Sequence, residues 1–218
     1  MNDVSSGLPG VLPYLESADA AIRKSLAWVK QQSSSGGAVS NDKLDAHQMA
    51  SFDLAWCAAE ATAARFAAEY AGKVAASRAQ GSGACLEERI ACAFCAEALQ
   101  NIHNRLRARP QSFGLGEADL AAFAAPGITR FCAAQLDAAT LEALGKDVIA
   151  LNGGTGAYML GDHETMMQDS FRKLATNVVM PHAEEIHRQD RIIPKEILEP
   201  LTEMGCFGLS IPERYGGL

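Results

Sequence analysis

Aromatic residues make up only 6% of these 218 positions, too few for a core built on large rings. Alanine is abundant instead, and small side chains let helices approach one another closely. Met1 to Leu15 lacks the basic start and apolar centre of a secretory signal, and the Arg-rich, acid-poor character of a mitochondrial presequence. No apolar run is long enough to span a bilayer, so the expected compartment is the cytoplasm and no membrane partner is expected. Positive charge is short as well: 19 Lys and Arg stand against 26 Asp and Glu, a net charge of −7. That balance argues against nucleic acid as the main partner, while leaving an anionic ligand open through a local basic patch. No stretch alternates apolar and polar residues long enough to support a sheet. The expected fold is all-α, with length for one core or two small ones.

Taken in order, residues 1–13 contain Gly and Pro without periodicity and read as a loosely held lead. Residues 18–32 predict a helix with Ile22, Leu26 and Val29 on one side, and Ser33-Ser34-Ser35-Gly36-Gly37 reads as a flexible connector. Ser40, Asn41 and Asp42 offer N-caps for a long helix over about residues 42–76. Met49, Phe52, Trp56, Ala59, Ala63, Phe66 and Tyr70 recur there at alternating steps of three and four, a heptad seam. Ala55, Ala58, Ala67 and Ala71 on neighbouring faces leave room for further helices. Gln80-Gly81-Ser82-Gly83 breaks the pattern.

The next helix has Glu87 and Glu88 in its first turn and Arg105, Arg107 and Arg109 in its last, which suits the helix dipole. Its seam is Cys92, Cys95, Leu99, Ile102 and Leu106, and Pro110 closes it, so the two long helices are expected to pair antiparallel. Residues 117–125 form a short helix stopped by Pro126-Gly127. Asp137 caps another, from Ala138 to about Leu144 or on to Leu151. Asn152-Gly153-Gly154-Thr155-Gly156 is the best domain boundary.

Beyond it, Met167, Phe171, Leu174 and Val178 form an apolar stripe in a helix that Pro181 should kink or restart. Pro194 opens a shorter helix carrying Ile197, Leu198, Leu201 and Met204, which stops at Gly205. The chain then runs through Ile211-Pro212-Glu213 to Tyr215-Gly216-Gly217. The order and spacing of Phe171, Pro181, Asp190, Pro194, Leu201, Gly205, Gly208, Ile211-Pro212-Glu213 and Tyr215-Gly216-Gly217 resemble the start of the acyl-CoA dehydrogenase family.

The resemblance covers about a quarter of the chain and implies a helical N-terminal domain that is followed, in the family, by a β domain and a helical bundle. It implies oxidation of an acyl-CoA thioester to the 2-enoyl-CoA, with FAD as hydride acceptor, an electron acceptor downstream, and a homo-oligomer. A base takes the α-proton while the β-hydride passes to the flavin. No residue here matches the family's catalytic glutamate or flavin-binding segments. The expected organisation is therefore a helical extension (1–151), a Gly-rich linker (152–161) and an incomplete family N-terminal domain (162–218). The extension is similar to that of methylsuccinyl-CoA dehydrogenases and related bacterial members, through the helix around Leu54-Ala55-Trp56. The expectation is an N-terminal fragment, inactive by itself and without FAD; the alternative is a stand-alone helical protein-interaction module.

Other constellations have simpler readings. Cys92-Ala-Phe-Cys95 lies inside a helix with no second ligand pair, and the six cysteines (Cys57, Cys85, Cys92, Cys95, Cys132, Cys206) are expected reduced and packed. The 152–156 run lacks Gly-Lys-Ser/Thr, and Met159 stands where a dinucleotide fingerprint needs glycine. His163-Glu164 would need a second His where Met167 stands, and His182 and His187 lie on different helix faces. Glu184-Glu185 is a wet face. Phe52, Trp56, Phe66 and Tyr70 are expected in the core. No catalytic, cofactor-binding or metal-binding residue is assigned.

Overall fold

A computed structural model describes residues 8–78, 84–152, 156 and 158–217, and its regular structure is helical apart from one small hairpin. The all-α expectation holds. Contacts divide the chain into two units, Met1–Ala157 and Tyr158–Leu218.

In the first unit α1 (Leu8–Gln32) begins earlier than expected. Residues 8–13 are helical rather than a loose lead, while residues 1–7 lie outside the described residues. Val11 and Leu15 extend the spacing of Ala18, Ile22 and Val29, and all five are buried, so burial overrides the Pro and Gly in this stretch. Leu26, expected inside, is 46% exposed. Ser25 takes the buried position and donates its hydroxyl to the Ala21 carbonyl at 2.9 Å.

The expected flexible connector is a hairpin, β1 (Ser34–Ser35) against β2 (Ala38–Val39). Gly36 and Gly37, at φ 60 and 86, supply the two left-handed positions of a type I′ turn. Ser33 is fully buried at its base.

The long helix expected from residue 42 is two elements, α2 (Asn41–Asp45) and α3 (Gln48–Ala76). His47 leaves helical geometry between them, and its ring stands edge-on to Trp28 at 5.7 Å. The seam expected to face inward faces out: Met49, Phe52, Trp56 and Phe66 are 66, 62, 48 and 64% exposed. The buried stripe is Ala50, Leu54, Cys57, Ala61, Ala64, Ala68, Ala71 and Val74. Its small side chains allow α1 and α4 to approach α3 closely.

Helix α4 (Leu86–Ala108) has the predicted seam, with Cys92, Cys95, Leu99, Ile102 and Leu106 all buried. It runs antiparallel to α3: Asp53 meets Arg105 and Arg109 at one end, and Ala64 meets Cys95 further along. Glu88 closes its start by accepting the Cys85 N–H at 2.8 Å. The break expected over residues 80–83 lies outside the described residues.

After a 3₁₀ turn (Pro110–Phe113) come α5 (Glu117–Ala121) and another 3₁₀ turn (Ala122–Ala124). Pro126, expected only to stop a helix, opens α6 (Pro126–Gln135); its missing N–H costs nothing at that position. Ile128, Phe131 and Cys132 of α6 are buried. Asp137 caps α7 (Ala138–Ala150), accepting from the Ala139 and Thr140 N–H groups at 3.0 and 3.3 Å. Most of the Gly-rich run that follows (153–155, 157) lies outside the described residues.

The second unit holds α8 (Asp162–Leu174), a π-helical turn (Ala175–Val179), α9 (Met180–Arg188) and α10 (Lys195–Glu203). The π turn lies just ahead of Pro181, where the missing donor and the ring disturb the ladder. Pro194 caps α10, and Gly205 leaves it at φ 73. Ile197 is buried and Leu198, Leu201 and Met204 are half-buried. Ile192, Phe207, Leu209 and Tyr215 are exposed by 93, 60, 51 and 70%. Among the described residues no helix is long and apolar enough to cross a membrane.

Candidate functional site

Among the described residues, helix packing brings polar groups together at several places, of which three bear on chemistry. The first lies between α3 and α4. Asp53, only 8% exposed, sits on the buried stripe of α3. Its carboxylate receives Arg105 Nη1 at 3.3 Å and the guanidinium of Arg109. Arg105 lies in the last turn of α4 and Arg109 is the cap residue just past its end, and both reach the same carboxylate. Arg105 also lies over the Trp56 ring, 5.8 Å from its centre, and Phe52 meets Trp56 edge-on at 6.3 Å. The cluster neutralises a buried charge and braces an exposed indole. It holds no free nucleophile and no spare base. Sequence reasoning missed it, although the acidic residue beside Leu54 on an otherwise apolar stripe was its signal.

The second is a cavity of about 240 Å³ lined by Leu99, His103, Phe123, Ile128 and Cys132. The His103 ring stacks on Phe123 at 5.1 Å with the planes parallel. Burial, followed by the Arg107 charge, holds the His103 pKa below its ordinary value of 6.5, which favours a neutral imidazole at pH 7. Cys132 is buried and its thiol donates to the Ala96 carbonyl at 3.6 Å. Burial raises its pKa, so it is not poised as a nucleophile.

The third belongs to the second unit: a cleft of about 350 Å³ along α9 and the start of α10, lined by His182, Glu185, Ile186, Arg191, Pro194 and Glu196. Arg191 pairs with Glu185 at 3.0 Å. The cation is therefore engaged, and two carboxylates line the same space. That donor set does not fit the pyrophosphate of a flavin dinucleotide, which needs free donors and little negative charge.

The motifs weighed in the sequence fall as follows. Cys92 and Cys95 are buried on α4. Burial pushes their thiols up to about 11 and about 12, and Cys57 up to about 12. Cys95 donates to the Ala64 carbonyl at 3.4 Å. His163 and Glu164 lie exposed in the first turn of α8, while His182 and His187 are exposed on α9. Glu184 and Glu185 pair with Arg188 and Arg191. Phe52, Trp56 and Phe66, expected in the core, are on the surface, and Tyr70 is half-buried.

Comparison with known proteins bears on the same two units. A family model described as "Acyl-CoA dehydrogenase, N-terminal domain" matches residues 161–218, the stretch from α8 onward. Over 224 aligned residues, covering 98% of the chain, the sequence is 32% identical to a protein named (2S)-methylsuccinyl-CoA dehydrogenase from Cereibacter sphaeroides. The chain spans 38% of that relative's length.

Proposed function

We propose, from the premise that this chain belongs to the acyl-CoA dehydrogenase family, that it forms the N-terminal portion of a longer FAD-dependent enzyme. That enzyme would dehydrogenate an acyl-CoA thioester between Cα and Cβ, with methylsuccinyl-CoA as the substrate. The observation that carries the reading is collinearity. The similarity runs through both units, including α1 to α7, and is not confined to the family segment after residue 161.

In this reading residues 1–151 are a helical extension, 152–161 a linker, and 162–218 the opening of the family's first domain. The second unit supports that division by its thinness. It buries Ile197 and leaves Ile192, Phe207 and Tyr215 in solvent. A small-molecule pocket is usually enclosed and preformed, whereas the cleft beside α9 is open, with its cation paired to Glu185. These residues would contribute a wall of the acyl site and subunit contacts, and neither flavin binding nor proton removal. The complete enzyme is a cytoplasmic homo-oligomer that passes electrons to an external acceptor.

The test purifies the 218-residue chain beside the product of the uninterrupted reading frame. The short chain should be colourless and inert toward acyl-CoA thioesters. The continuous product should be yellow and bleach on adding methylsuccinyl-CoA. A yellow 218-residue protein would refute the assignment of flavin to the remainder. A colourless continuous product would replace this reading with the helical interaction module, which the exposed Phe52 and Trp56 favour.

A further inference from the structure

The outward face of α3 carries a helix-pairing pattern that the core of the first unit does not use. Met49, Phe52, Trp56, Ala59, Ala63 and Phe66 keep heptad spacing, a pattern whose physical meaning is a seam between helices. The structure leaves that seam in solvent and uses the opposite stripe for the core. Between Gln48 and Glu69 every exposed position of α3 is alanine, aromatic or methionine except Thr62, and none is charged. The charges beside the seam are engaged within the unit: Glu60 accepts from Asn101 at 3.4 Å, and Arg65 pairs with Asp19. Each aromatic ring is half to two-thirds exposed. With Met49 they present on the order of 400 Å², the scale at which a surface patch signals an interface.

We infer that this face pairs with its own copy, α3 against α3 of a second chain, antiparallel about a two-fold axis between Ala59 and Ala63. The size pattern argues for a second copy rather than an unlike partner. About position 61 the seam is nearly palindromic: Ala59 falls opposite Ala63, Trp56 opposite Phe66, and Phe52 opposite Tyr70. The alanines at the axis let the two backbones approach, and the rings lock the layers on either side. Alternation is also satisfied, because in each layer a first-position residue of one helix meets a fourth-position residue of the other, as antiparallel coiled coils require. No acidic or basic side chain opposes its own image: Lys73, one seam step beyond Tyr70, falls opposite Met49. Arg105, already over Trp56, covers one edge of the contact.

The experiment uses the 218-residue chain. Sedimentation from micromolar concentration to about 0.1 mM should show a reversible dimer. Ala59→Arg and Ala63→Arg, both at exposed positions, should each raise its dissociation constant at least 100-fold while leaving the circular dichroism helix signal unchanged. Direction is read separately by trapping in a Cys206→Ser background. Ala59→Cys mixed with Ala63→Cys should form the intermolecular disulfide readily. Ala59→Cys alone should not, since its two copies are offset by about 6 Å along the helices. A monomer at every concentration overturns the inference and leaves the face to a different partner. Association that survives both arginine variants overturns it too, placing the contact elsewhere, such as on the exposed residues beyond α10. Efficient self-coupling of Ala59→Cys refutes the antiparallel register.

Discussion

Arg105 reaches Asp53 at 3.3 Å from the last turn of α4, so the one acidic residue on the buried stripe of α3 is paired with a cation. Arg109 holds the second carboxylate oxygen. The pairing fixes the register of these two helices, because it joins the start of α3 to the end of α4. Asp53→Ala would leave two arginines without their acceptor, but both side chains are more than a third exposed and can turn to water. The loss should therefore be about 2 kcal/mol, short of the 3–5 kcal/mol of a deeply buried pair. Urea unfolding followed by circular dichroism measures it. A midpoint equal to that of the wild type would mean the cluster is ornamental.

The cysteines give a prediction about alkaline pH. Burial pushes Cys57, Cys92 and Cys95 up to about 12, 11 and 12 from an ordinary value of 9.0. Below pH 9 these thiols are protonated in both folded and unfolded chains and cause no pH dependence. Above it the unfolded chain loses their protons while the folded chain keeps them. Stability should therefore fall between pH 9 and about 12, at up to about 1.4 kcal/mol per pH unit for each thiol. A thiol reagent at pH 8 should modify Cys206, half-buried in the second unit, well before the five buried cysteines, and all six once the chain is unfolded. Fast labelling of Cys92 and Cys95 in the folded chain would contradict their place in the seam.

Gly114 offers a third test. It sits at φ 63 after the 3₁₀ turn, and a Cβ built there would collide with Cδ1 and Cγ of Trp28. Gly114→Ala combines left-handed backbone strain with overpacking of a ring, and should cost about 3 kcal/mol. Because Trp28 must move to admit the methyl group, its fluorescence should change along with the unfolding midpoint. An unaltered spectrum and midpoint would show that the turn relaxes freely.

Several elements were legible in the sequence for a clear physical reason. Helix α4 has a single apolar stripe, Cys92 to Leu106, so only one face could turn inward, and that face did. Asp137, Pro194 and Gly205 act through backbone rules that need no distant partner, and the π turn just ahead of Pro181 follows from that residue's missing donor and ring. The family resemblance after residue 161 is likewise a matter of order and spacing along the chain.

Helix α3 is different because it has two usable stripes, one of rings and one of alanines. Periodicity establishes that both exist and that the segment is helical, but it does not rank them. The choice belongs to α1 and α4, which approach closely only against small side chains, so the alanine stripe became the core and Trp56 and Phe66 were left outside. The hairpin at residues 34–39, the break at His47 and the grip of two arginines on Asp53 are also decisions of tertiary structure. Each depends on a neighbour distant in sequence or on a backbone geometry that composition leaves open. The amino-acid sequence by itself determined that this chain is helical, where most helices begin and stop, and which family its last residues resemble. Only tertiary packing decided which face of the longest helix meets the core, because that depends on how near its neighbours can come.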